Sequence, residues 1–171
     1  MRRLLTALVL PLTLLLIAPT TPAQAASVSF NDPTGDGEAG AVLDITGGVL
    51  RNRDHRIVVE TSYARVGRGA LIVFLQARGV EGTIRVVSRH HPAGEDESFL
   101  LDRASNRLPC PRLTVTWDAE ADTSRVKLPS RCFRNGDYGA VRTFLLTEVD
   151  GGSDADIAPN QRTRAEWVAR G

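Results

Sequence analysis

Lysine is almost missing from this chain: Lys127 is the only one, so nearly all positive charge is arginine. Nor is either sign in excess, since 21 Lys+Arg stand against 20 Asp+Glu and the net charge is +1. That balance gives no reason to expect nucleic acid or an anionic membrane surface as a partner. Cysteine is scarce. Cys110 and Cys132 are the two present, with no Cys-x-x-Cys between them, which argues against a redox motif or a cysteine-built zinc site. Hydrolase signatures are absent too: there is no Gly-x-Ser-x-Gly, no His-Glu-x-x-His and no Gly-rich phosphate loop. Finally, no stretch of helical length keeps apolar residues on a three-to-four residue period, so strands are the expected building material.

What is present begins with an export signal. Arg2 and Arg3 precede an apolar run from Leu4 to Ala18, and a Pro/Thr stretch then ends in Ala23-Gln24-Ala25. This charged, apolar and small-residue order predicts a secretory signal over residues 1–25, cleaved after Ala25. The run is short for a bilayer span and leads into a processing site, so no integral membrane association is expected after cleavage. Residues 26–171 remain, the size of one domain. They carry a charge of −1, because the signal takes two arginines and no acid with it. No wall-sorting tail or lipid-attachment cysteine is visible, which makes free secretion the expectation. Arginine in place of lysine, with abundant Ala, Val and Gly, points to a GC-rich genome of actinobacterial type.

The mature region reads as short alternating or β-branched runs separated by Gly, Pro, Asn and Asp. Strands are expected near 27–30, 43–50, 56–63, 70–76, 82–88, 98–101, 113–117, 124–128, 140–147 and 164–168. The run from Ala70 to Leu75 is apolar throughout, as in a central strand covered on both faces. Many short strands with frequent turn signals predict an all-β fold, a two-sheet antiparallel β-sandwich.

An exported chain with an even cysteine pair is expected to form a Cys110–Cys132 disulfide. The two cysteines are equidistant from Ala121, and the flanking runs 113–117 and 124–128 are nearly symmetric about the same residue. An antiparallel hairpin with that centre would bring the cysteines opposite each other, just beyond its strand ends. Pro109 and Pro111 discourage the first cysteine's segment from continuing the sheet.

Two acidic loops carry the candidate chemistry. After the first strand, Asp32-Pro33-Thr34-Gly35-Asp36-Gly37-Glu38 places oxygen side chains at alternate positions with a glycine following. This is how the first half of a calcium loop curls around a hard cation. An EF-hand is excluded: its twelfth position holds Leu43, Asp44 comes one residue late, and no helices flank the loop. The second loop, Asp150-Gly151-Gly152-Ser153-Asp154-Ala155-Asp156, supplies three more carboxylates. Calcium takes six to eight oxygens, and loops at one end of a sandwich meet in space. Calcium is thus the candidate cofactor, with Asp32, Asp36, Asp154 and Asp156 as expected ligands. Plain turn chemistry, for which Asp, Gly and Pro also serve, is the competing reading.

The loop Asp32-Pro33-Thr34-Gly35-Asp36 leading into Leu43-Asp44-Ile45, together with Asp156-Ile157-Ala158-Pro159 and Trp167, resembles small secreted actinobacterial sandwich proteins. It resembles in particular the DOMON-like and family 9 carbohydrate-binding modules. That resemblance implies calcium near the early loop and aromatics gripping a sugar. The chain departs on the second point, since aromatics make up only 5% and no exposed tryptophan pair is evident. Trp117 and Trp167 are expected to pack in the core or at an edge.

The histidines complete the inventory. His90-His91 lie in a polar stretch, Ser88 to Glu97, whose histidines and carboxylates would suit zinc or copper. Adjacent residues of an extended chain point apart and no third ligand is placed by spacing, so a solvated loop of mixed charge is expected instead. His55 follows a tight turn. Asp118 and Glu120 form a carboxylate pair at a hairpin tip, where exposure gives no desolvation to tune either for acid catalysis. The reading is a secreted, non-catalytic binding or structural module whose partner is an extracellular protein or glycan. The alternative is a small extracellular enzyme or enzyme inhibitor with its site in the 88–97 or 135–139 loops.

Overall fold

The computed structural model describes residues 26–38, 40–149, 154–159 and 165–171, with Asp154 and Ala155 described by backbone alone. The expected signal lies outside them. Eleven strands and no α-helix occur among the described residues. In chain order they are β1 (Ala26–Asn31), β2 (Ile45–Arg53), β3 (Arg56–Tyr63), β4 (Gly69–Ala77), β5 (Thr83–His90) and β6 (Glu97–Leu101). They continue with β7 (Arg107–Leu108), β8 (Thr114–Asp118), β9 (Thr123–Pro129), β10 (Val141–Val149) and β11 (Asp154–Ala158).

Two antiparallel sheets result, one ordered β1-β2-β3-β9-β8 and the other β11-β10-β4-β5-β6-β7. They face each other as the alternation requires. Leu50, Ile57 and Val126 from the first sheet join Leu71, Val73 and Leu145 from the second in one core, all at most 1% exposed. The expected β-sandwich is therefore the fold. Trp117 packs at its margin, stacked on Tyr63 with ring centroids 5.7 Å apart and donating its Nε1–H to Ser88 Oγ at 3.0 Å.

The clamped hairpin is also present. β8 pairs with β9 with Trp117 opposite Ser124, so the hairpin is centred half a residue before Ala121. The Cys110–Cys132 disulfide closes its open end, with the Cα atoms 5.4 Å apart. A single 3-10 turn, Ser130–Cys132, absorbs the small offset by turning the chain back toward Cys110.

Four expectations need correcting. Of the strand expected over 164–168, Arg164 lies outside the described residues and 165–168 do not form one: only Val168 bridges, to Val141, and 165–167 lack the ladder partners a strand needs. The segment Asp154–Ala158, expected to be loop through Asp156, is an edge strand on β10 with a register shift beside Thr147 and Glu148. The pairing groups of β10 override the turn-like composition there. His90 is not solvated: it ends β5, stacks on Trp117 at 5.0 Å and bonds Asp96 through Nδ1 at 2.9 Å. Stacking on the indole removes apolar ring surface from water. Among the described residues, β4 has its inner face alone against the core, whereas its all-apolar sequence suggested cover on both faces.

Gly69, which opens β4, sits where no side chain fits. A methyl there would overlap the Glu148 carbonyl oxygen and lie 2.6 Å from Leu43 Cδ1. Both neighbours are fixed, one by the β10 ladder and the other by full burial. Gly69→Ala should therefore destabilise by about 1–3 kcal/mol, as overpacking does. A chemical-denaturation midpoint equal to that of the parent protein would refute this.

Candidate metal centre

The first acidic loop leaves β1 at Asn31 and is stitched down before β2 begins. The Asp32 amide extends the ladder by donating to Thr46 O at 3.1 Å. Gly35, at a φ of +87°, takes the left-handed turn that glycine adopts without strain. Its amide donates to Asp44 Oδ2 at 2.8 Å. Leu43 is fully buried, and its carbonyl accepts a 2.8 Å hydrogen bond from Thr147 Oγ1 of β10. The loop is thereby fastened to the opposite sheet.

Because β11 lies beside β10, it carries Asp156 to the same place. Asp156 Oδ2 accepts the Ile45 amide at 2.8 Å, a contact between residues 111 apart in sequence. Its Oδ1 accepts the amide of Ile157. One carboxylate oxygen each from Asp32, Asp36 and Asp156 lies within 4.8 Å of the others. Asp32 and Asp156 are buried at 7% exposure and Asp36 is exposed. Calcium–oxygen distances of about 2.3–2.6 Å put ligands on opposite sides of one ion about 5 Å apart, so this spread matches a calcium sphere. Among the described residues this is the only such grouping of three or more acidic, histidine or cysteine side chains.

Of the four expected ligands, three come together. The side chain of Asp154 lies outside the described residues, as do Asp150, Gly151, Gly152 and Ser153. The residue that sequence reasoning passed over is Asp44. It is 1% exposed, and its Oδ1 is buried with no hydrogen-bond donor while Oδ2 holds Gly35. Its signal was legible as the carboxylate one place beyond the calcium loop's twelfth position. A comparison with the EF-hand template discards it because that template places its bidentate carboxylate at the twelfth position.

Burial pushes the Asp156 carboxyl above its ordinary range; the Ile45 and Ile157 amides oppose this, and the charges of Asp36 and Asp44 add to it. A carboxyl raised in the folded state favours folding below its unfolded pKa of about 3.9, and that contribution is lost as pH rises through the folded value. Glu97, held low chiefly by its hydrogen bond from Arg107, and Asp102, held low chiefly by Asn106, have the opposite slope. The informative quantity is therefore a difference. In EDTA, raising the pH upward from about 4 should cost the parent protein more stability than Asp156→Asn, as followed by urea midpoints. Parallel pH profiles would count against this.

The other candidates are occupied structurally. His91 donates its amide to Asp96 Oδ1 at 3.0 Å. Asp118 at the hairpin tip accepts the amides of Glu120 and Ala121 through Oδ1, at 3.1 and 3.0 Å, as a turn-forming aspartate does. In the 135–139 stretch, Tyr138 packs on Phe133 with centroids 5.1 Å apart, and Arg170 donates to Gly136 O at 2.7 Å. No protein-family model matches this chain, and no curated protein is detectably similar to it.

Proposed function

We propose that this chain is a secreted, non-catalytic β-sandwich module whose loops at one end are tied together by calcium. The convergence of Asp32, Asp36 and Asp156 from segments more than a hundred residues apart carries this reading. Turn-forming aspartates satisfy neighbouring amides within their own loop and need not meet across a fold. Asp44 supports it independently, because a buried carboxylate oxygen without a donor is costly unless a cation stands nearby. The residues fit a hard cation well: the donors are all oxygens, and the exposed Asp36 leaves room for waters to complete six to eight ligands. The ion's role is structural. It offsets the mutual repulsion of the carboxylates and holds the first acidic loop against β11. An extracellular protein or glycan is the partner class for a module so stabilised.

The test is isothermal titration of calcium into EDTA-stripped, oxidised protein. One binding event is expected, weakened about tenfold or more in Asp36→Asn, a change at an exposed side chain that leaves the buried scaffold intact. No heat above dilution, or equal affinity in Asp36→Asn, would overturn the reading.

A further inference from the structure

An apolar band crosses the outer face of the six-stranded sheet, with Arg85 and Arg89 on the same face beside it. Strand register aligns Ile157, Leu146, Ile72, Val87 and Phe99 in one row across β11, β10, β4, β5 and β6. Phe144 and Phe74 stand opposite each other in the next row. None of these residues belongs to the core between the sheets, and all but Val87 are half-buried. A contiguous apolar face of this kind marks an interaction surface. It also accounts for the all-apolar β4, whose pattern calls for cover on both faces.

We propose that this face is covered by a second copy of the chain, packed sheet on sheet about a two-fold axis. The charge order along β10 selects that occupant. Its outward side chains run Arg142, Phe144, Leu146, Glu148, with the two charges three residues either side of Leu145. A two-fold axis lying across the strands at the level of Leu145 places Arg142 over Glu148 of the second copy. The same axis places Phe144 over Leu146, and each contact occurs twice. Aligned sheets about 10 Å apart leave room for these interdigitating side chains. Such an isologous interface is the commonest closed symmetry.

The arginine of the pair is fixed in place. Gln76 Oε1 accepts from Arg142 Nε at 2.8 Å and Nη2 at 2.6 Å, and the guanidinium lies 4.6 Å from the Trp167 ring centroid. Neither Arg142 nor Glu148 has an ion-pair partner among the described residues. Among the described side chains, the arginines on this face are already engaged. Arg89 and Arg107 share Glu97 at 3.0 and 2.7 Å, and Arg85 bonds Ser105 Oγ and the Asp102 carbonyl. An anionic lipid surface or an acidic partner would meet Glu148 as a like charge, which a second copy avoids.

Sedimentation velocity of the mature protein across a concentration series tests the proposal. A monomer–dimer equilibrium is expected. Arg142→Glu and Glu148→Arg should each weaken it by about tenfold or more, and combining them should restore it, because the swap recreates both cross-pairs. That rescue separates the interface from misfolding, since a merely unfolded single variant would not recover. A monomer at every concentration overturns the proposal, as does a dimer indifferent to both reversals. A monomer that instead sediments with phosphatidylglycerol vesicles overturns it in favour of a lipid surface.

Discussion

Saturating calcium should raise the unfolding midpoint of the EDTA-stripped, oxidised protein by about 5–10 °C. A ligand that binds only the folded state stabilises it by mass action, by about 2.7 kcal/mol at a hundredfold excess over Kd. For a domain of this size each kcal/mol shifts the midpoint by about 2–4 °C. The unfolded chain cannot compete, because Asp36 and Asp156 come from opposite ends of the sequence and meet only through the β1–β2 loop and β11. Asp32→Ala and Asp36→Asn should each remove about half of the rise or more. They should differ without calcium: Asp32 is buried, so its replacement disturbs the scaffold, whereas Asp36 is exposed. Scanning calorimetry with calcium and with EDTA reads both effects, and superimposable curves would remove calcium from the account.

Loss of the disulfide should be comparable in size. Cys110 and Cys132 are 22 residues apart, and opening a loop of that length restores chain entropy to the unfolded state worth roughly 3 kcal/mol. The bridge holds β8, an edge strand that pairs only with β9. The Cys110→Ser, Cys132→Ser double variant should therefore unfold about 6–12 °C lower, and the amides of Thr114 to Asp118 should exchange first. Unchanged melting would mean that the hairpin's own pairing suffices. The bridge lies beyond the end of the sheet where Arg56 meets Pro129, while the acidic centre lies beyond the end where Asn31 meets Gly47. Two sites at opposite ends with no shared partner should give additive losses, so calcium should still stabilise the cysteine-free protein by its full increment.

Most strands were legible because their signal is local. Arg56 to Tyr63 alternates within eight residues and emerges with the expected boundaries, and the hairpin symmetry about Ala121 is a property of one short segment. What escaped was non-local. Asp154–Ala158 reads as turn because aspartate and glycine dominate its approach, yet β10 offers it a free edge. Arg107–Leu108 is two residues long, too short for any periodicity. His90 reads as solvated until Trp117, from the other sheet, is seen to cover it.

The sequence by itself determined the fold class, the cysteine pairing and the acidic loops as candidates, since each depends on residue spacing within one segment. Only the tertiary structure decided that Asp156 reaches Asp36, that Asp44 is buried, and that one face of β4 lacks a covering sheet among the described residues. Alternation shows that a strand has two faces but not what lies against either. That depends on strand order, here β11-β10-β4, which is set by packing among segments far apart in the chain.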